Sequence, residues 1–192
     1  QIKVDPVQVR EINRKVIAAG AGAGERLPLK GGGHWALDEG SGAIAKDDGP
    51  NTKALTLSDG TTWTSGVSGS ALKFNGQGQY AETDGPVLDT TDSYTVSAWV
   101  RLDELPGNYA TAVSQDTRRQ ASPFYLQYGQ GAFAFSTPGE SRARLVTTPE
   151  KGRWYHLVGV RDSADNTIKL YVDGKPAATA TGGAAYPSTG SL

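Results

Sequence analysis

Hydrophobic and polar residues alternate along much of the chain after residue 34, which is the spacing of β-strands with one buried face. The stretch SYTVSAWVRL, residues 93–102, shows this most clearly. Its apolar positions are Tyr94, Val96, Ala98, Val100 and Leu102. Trp99 and Arg101 fall on the other face, with Thr95 and Ser97. PFYLQYG (123–129) and AFAFS (132–136) repeat the pattern, so we predict an all-β fold.

A strong hairpin signal lies in TIKLYVDGKP, residues 167–176. Its strand carries apolar residues at alternate positions, and Asp173-Gly174 follows, a pair that readily takes the positive φ angles of a two-residue turn. The preceding strand, GRWYHLVGVRD (152–162), is apolar on both faces. That pattern is typical of an interior strand of a packed sandwich. We therefore interpret His156 as a hydrogen-bonded core residue rather than a catalyst.

Residues 1–33 differ in composition from the rest of the chain. Helical spacing would connect Val9 with residues 12 and 16, whereas Ile2, Val4, Val7 and Val9 alternate as in a strand, which favours extended chain. Residues 19–33 have the Gly/Ala-rich composition of a linker. We predict that residues 1–33 are the tail of a preceding module plus a linker, and that residues 34–192 form the β domain.

Composition excludes several classes of function. The net charge is −1, from 19 basic and 20 acidic side chains without a block of like charge, which argues against nucleic-acid binding. No apolar run is long enough for membrane insertion. Cysteine is absent and histidine occurs twice, which argues against thiolate chemistry and zinc.

The acidic residues do not form a catalytic pair. Adjacent acids, such as Asp38-Glu39 and Asp103-Glu104, point apart in extended chain, whereas a glycosidase needs two carboxylates facing each other across a cleft. The nucleophile motif G-x-S-x-G does not occur. We therefore predict that the protein is not an enzyme.

Calcium is the metal that the composition allows, because its ligands are carboxylate and carbonyl oxygens in glycine-rich loops. The best candidate loop is AKDDGPNTK, residues 45–53, with Asp47, Asp48 and Asn51 as ligands. The alternative is that these residues simply form a turn, which Asp, Asn and Gly favour.

The motifs occur in an order that resembles a known family. HWALDEGSG (34–42) is followed by TTWTSGVSGSALKFNGQGQYAE (61–82), LDTTDSYTVSAWVRLDEL (88–105), GRWYHLVGVRD and IKLYVDGKPAATAT. This series is similar to the laminin-G-like jelly rolls of bacterial secreted proteins, in the concanavalin A-like lectin/glucanase superfamily. The resemblance implies a sandwich of two antiparallel sheets, which serves as an extracellular or cell-surface module of a multidomain protein.

The resemblance also implies ligands and partners. Such modules commonly bind carbohydrates, sometimes proteins, and often hold a structural calcium, which supports Asp47 and Asn51. The family's closing strands have no counterpart here, so we expect either that the domain is truncated at its C-terminal end or that another domain or another chain completes the sheet edge.

Aromatic and polar residues away from the predicted core are the candidate ligand-binding residues, since sugars are bound by aromatic stacking and hydrogen bonds. These are Trp99, Arg101, Tyr109, Tyr125, Gln127 and Tyr171. The alternative is that loops cover this face and Trp99 belongs to a second core. We predict a non-catalytic carbohydrate-binding module; the alternatives are a structural or protein-binding spacer and a glycan hydrolase of the same sandwich class.

Overall fold

The computed structural model describes residues 2–11, 31–115, 122–138, 141–182 and 186–192, and these residues form fifteen β-strands and no helix. The strands are β1 (Ile2–Glu11), β2 (Gly32–Trp35), β3 (Ile44–Ala45), β4 (Leu55–Leu57), β5 (Thr62–Ser65), β6 (Ser70–Phe74), β7 (Ala81–Thr83), β8 (Tyr94–Leu102), β9 (Ala110–Ser114), β10 (Tyr125–Gly129), β11 (Ala132–Ser136), β12 (Arg142–Arg144), β13 (Trp154–Asp162), β14 (Thr167–Val172) and β15 (Lys175–Thr181).

The strands form an antiparallel β-sandwich, as the hydrophobic pattern predicted. One layer is an eight-stranded sheet in the order β15-β14-β13-β8-β1-β6-β5, with β2 also paired to β1. The other layer contains a four-stranded sheet, β12-β11-β10-β9, and a three-stranded sheet, β3-β4-β7. One continuous set of buried apolar residues fills the space between the layers.

Strand β1 lies inside the large sheet. It pairs along its length with β8, and on its other side with β6 and then with β2. The register shifts between Asp5 and Val7, where Pro6 has no N–H for the ladder. The alternation in residues 2–11 thus marked a strand. The prediction that assigned residues 1–33 to a preceding module did not anticipate this pairing, because alternation identifies a strand but not its partners. Residues 12–30, the rest of the predicted tail and most of its linker, lie outside the described residues.

Strand β8 confirms the predicted core face. Its five apolar positions are buried and its other four are half-buried. Phe124, Phe133 and Phe135 from the opposite layer are also fully buried, and Phe135 contacts Tyr94 edge-on with the ring centroids 6.4 Å apart. These aromatic contacts join the two layers.

The Asp173-Gly174 hairpin forms as predicted, with φ of 51° and 75° at its two residues. The prediction for β13 is right about the strand's central place, between β8 and β14. It is wrong about His156. Tyr155 and Leu157 face the core, whereas Trp154 and His156 lie half-buried on the outer face of the large sheet. Both faces of this strand are apolar, so period-two spacing alone did not show which one is covered.

Candidate functional site

A concavity of about 460 Å³ lies on the outer face of the four-stranded sheet. We call it the β9–β12 concavity; it is lined by Tyr109, Thr111, Tyr125, Gln127, Ser136, Thr137, Pro138, Ser141 and Arg142. In β10, Leu126 and Tyr128 are buried in the core, so the alternate positions Tyr125 and Gln127 point to the outer face. Volumes of about 300–1,000 Å³ are typical of small-ligand sites.

Tyr109 forms one wall of the concavity. Its side chain is 52 % exposed, and its ring lies directly over Gly129 of β10, where a Cβ atom would overlap the ring. The guanidinium carbon of Arg142 is 5.4 Å from the centroid of the same ring. Glycine at position 129 therefore leaves the space that the Tyr109 ring occupies against the sheet, and the arginine contacts the ring there.

Arg142 is held in place by two hydrogen bonds. Its Nη1 donates to Oε1 of Gln130 (2.8 Å), and its Nη2 donates to the hydroxyl of Tyr109 (3.3 Å). On the same face of β12, Arg144 donates to the backbone carbonyl of Gln130. Two cationic side chains therefore converge beside the turn between β10 and β11.

Polar groups line the floor of the concavity. Gln127 is only 5 % exposed, and its Nε2 donates to Oγ of Ser136 (2.9 Å). The hydroxyl of Tyr125 accepts the backbone N–H of Ser122 (2.9 Å), which fixes the half-buried ring at the edge. The concavity thus combines an exposed aromatic ring, an oriented amide and a fixed cation, which can stack on and hydrogen-bond to a polar ligand.

The predicted ligand-binding residues divide between the two outer faces of the sandwich. Tyr109, Tyr125 and Gln127 come together in the β9–β12 concavity. Trp99 and Arg101 belong to β8, and Tyr171 belongs to β14, so these three lie on the opposite layer. A single site made from all six residues is therefore excluded by the topology.

A cluster of aromatic side chains also lies on the outer face of the large sheet. Trp99 and His156 stack with ring centroids 5.1 Å apart, and the guanidinium of Arg101 lies 5.1 Å from the ring centroid of Trp154. Burial lowers the pKa of His156 below its usual range, an effect that the charge of Asp173 partly opposes. All three predicted residues on this face are half-buried.

The predicted calcium loop is organised by one carboxylate. Oδ1 of Asp47 accepts the backbone N–H groups of His34 (2.8 Å) and Gly49 (2.7 Å), and Oδ2 accepts that of Lys53 (2.8 Å). Both carboxylate oxygens are thus already engaged.

The other predicted calcium ligands contribute less order to this loop. Asn51 donates through Nδ2 to the carbonyl of Val87 (3.1 Å), and Asp48 is exposed. Across the ranges that the structure describes, no group of three His, Cys, Asp or Glu side chains is arranged to hold a metal ion. The turn alternative accounts for the role of Asp47 without an ion, and calcium at this loop stays a prediction.

Six of the nine lining residues did not emerge from the sequence, among them Arg142 and Ser136. Arg142 lies in SRARL, where Ala143 is buried and its neighbours alternate outward, but a three-residue strand gives too short a pattern to recognise. Ser136 ends the AFAFS strand opposite Arg142 and Tyr125. The signal that could have found both residues is the pairing of β12 with β11, which only the fold supplies.

Comparison with known proteins agrees with this architecture. A family model described as the concanavalin A-like lectin/glucanases superfamily matches residues 75–192, more than half of the chain and all of the β9–β12 concavity. The chain belongs to the concanavalin A-like lectin/glucanase superfamily. This confirms the resemblance and the all-β sandwich fold.

A solved structure of "Alginate lyase AlgAT5 from Polysaccharide Lyase family 7" aligns over 97 % of this chain and 78 % of that one, at 13 % identity and a TM-score of 0.34. A likeness at this level supports no statement about the site or its ligand. No match was found among curated proteins. In the described parts of the chain, no helix has the length and apolar character needed to cross a membrane.

Proposed function

We propose that this protein is a non-catalytic carbohydrate-binding module whose site is the β9–β12 concavity. The observation that carries the proposal is the half-exposed Tyr109 ring, which lies against Gly129, contacts the guanidinium of Arg142 and lines the same concavity as the buried amide of Gln127. A sugar ring would stack on the tyrosine and exchange hydrogen bonds with Gln127 and Arg142. Because these groups are already ordered, binding loses little side-chain entropy.

The chemistry of the lining supports recognition rather than catalysis. Its described residues are tyrosine, threonine, serine, glutamine, proline and arginine, with no carboxylate or imidazole among them. Hydrolysis of a glycosidic bond by the usual route uses two carboxyl groups, one on each side of the bond. The glycan hydrolase alternative would need such a pair, and release of reducing ends from a panel of polysaccharides would establish it.

Measurement of binding to soluble polysaccharides, by affinity electrophoresis and by calorimetry, tests the proposal. Tyr109→Ala removes the stacking surface, and we expect affinity to fall by about two- to tenfold, since one aromatic contact contributes about 0.5–1.5 kcal/mol. Gly129→Ala changes no side chain of the lining but displaces the Tyr109 ring, because the new Cβ atom would overlap it. We expect it to weaken binding in the same direction.

A matched control lies on the opposite face of the sandwich. Trp99→Ala removes an aromatic ring of the large sheet that does not line the concavity, so affinity should not change. Loss of binding in Trp99→Ala with Tyr109→Ala unaffected would place the site on the large sheet and refute this proposal. If the folded protein binds no polysaccharide, the spacer alternative is favoured.

The extracellular setting belongs to the same proposal. A module that binds glycans would act outside the cell or at its surface, as part of a larger multidomain protein. Detection of the parent protein in culture supernatant or on intact cells by an antibody tests this location.

A further inference from the structure

We infer that the ligand of the β9–β12 concavity is an anionic glycan, one whose sugars carry carboxylate or sulfate groups; this inference rests on the proposed function. It comes from the electrostatics of the concavity, where the charged side chains among the described residues are arginines. Arg142 lines it and Arg144 lies beside it on the same face of β12.

Arg142 is held, like Arg144, by neutral oxygens rather than by a carboxylate. Within the described ranges, Lys3, Arg101, Lys151, Arg153 and Lys169 each have a carboxylate within 4.0 Å. Arg142 has none there; its recorded partners are the neutral oxygens of Gln130 and Tyr109. Neutral acceptors orient a guanidinium without neutralising its charge.

Among the described residues, the geometry leaves donors of Arg142 available for a ligand. A guanidinium has five N–H groups in a rigid planar fork, and the structure records partners for two of those of Arg142. That fork matches the two oxygens of a carboxylate, and charge-assisted hydrogen bonds of this kind are roughly twice as strong as neutral ones. The half-buried position of Arg142 reduces the screening by solvent.

The remaining lining does not oppose a negative charge. No described lining residue is acidic, while Gln127, Ser136 and the hydroxyl of Tyr109 offer neutral hydrogen-bonding groups. The protein as a whole carries a net charge of −1, so it does not attract polyanions through its overall charge. Selectivity for an anionic glycan would therefore depend on the arginines at this face.

Two matched pairs of polysaccharides test the inference. The first is polygalacturonate and its carboxyl-reduced, neutral form; the second is dextran sulfate and dextran. We expect the anionic member of at least one pair to bind about tenfold more tightly than its neutral partner, as one charge-assisted hydrogen bond predicts. The pair that shows the difference identifies the anion as carboxylate or sulfate.

Three variants assign the effect to the concavity. Arg142→Gln should remove most of the preference for the anionic member, and Arg142→Lys should retain part of it, because a lysine keeps the charge but not the planar fork. Arg153→Gln makes the same change on an exposed arginine that is paired with Glu150 and Asp173, and should leave the preference intact. Circular dichroism and the melting temperature establish that each variant is folded.

The possible failures are distinguishable. Equal binding of the anionic and neutral members, unchanged by Arg142→Gln, would overturn the anionic inference and leave the proposed function standing. A preference that survives Arg142→Gln but is lost in Arg153→Gln would also overturn it. No binding of any of the four polysaccharides by the folded protein would overturn both.

Discussion

The carboxylate of Asp47 offers the most direct test of how this fold is held together near its first β-strands. Its two oxygens accept three backbone N–H groups, from His34, Gly49 and Lys53, at 2.7–2.8 Å. These bonds connect the end of β2 to the loop that leads to β4. Replacing Asp47 by alanine would leave all three amides to find water or remain without a partner.

The expected loss follows from that count. Hydrogen bonds to charged groups contribute about 1.5–3 kcal/mol each when buried, and we take about 1 kcal/mol each here because the bonds are only partly buried. Asp47→Ala should therefore lower the free energy of unfolding by about 3 kcal/mol. For a domain of this size, each kcal/mol lowers the melting temperature by about 2–4 °C, so we expect a fall of about 6–12 °C.

Two variants calibrate the measurement by thermal and chemical denaturation. Asp48→Ala changes an exposed carboxylate in the same loop, where only the backbone N–H is bonded, and should stay within about 0.5 kcal/mol of the parent. Asp47→Asn keeps one acceptor oxygen but turns an N–H₂ group toward an amide, so its loss should be intermediate. Equal stability of the Asp47→Ala and Asp48→Ala variants would refute the reasoning.

The same experiment, with calcium or with a chelator, tests the predicted metal. A melting temperature that falls on chelation in the parent protein, but not in Asp47→Ala, would establish an ion at this loop. If the loss in Asp47→Ala is the same under both conditions, the hydrogen bonds alone account for the role of this residue.

Three further outcomes are expected. In Gly159→Ala, the new Cβ would overlap the Phe135 ring across the core, so the free energy of unfolding should fall by about 1–3 kcal/mol. Adding Phe135→Leu should recover part of the lost stability. A Gly159→Ala variant as stable as the parent would refute the contact. The pKa of His156 is lower in the folded state, so the unfolded state binds more protons, and the free energy of unfolding should fall as the pH drops below the unfolded pKa of about 6.5. His156→Gln should reduce this pH dependence. An unchanged pH profile of stability in that variant would contradict the prediction. Trp99→Ala removes the ring that stacks on His156 and should lower the free energy of unfolding by about 0.5–1.5 kcal/mol in chemical denaturation. A neutral result would mean that the stack contributes nothing.

The sequence by itself determined several of the longer strands and much of the core. Alternation in β8 assigned Tyr94 and its partners to the interior, because a strand has two faces and only one of them was apolar. The Asp173-Gly174 pair determined the hairpin between β14 and β15, because its positive φ angles favour these residues. These are local properties of the chain, which is why the sequence alone carries them.

Only the tertiary structure decided which residues meet. Period-two spacing could not show which apolar face of β13 is covered, and it gave no reason to place Tyr109 and Arg142 together, 33 positions apart. Nor could it place Trp99 and Tyr125 on opposite faces of the sandwich. Those outcomes depend on strand order and layer, which are set by long-range pairing and by the burial of both sheets against each other.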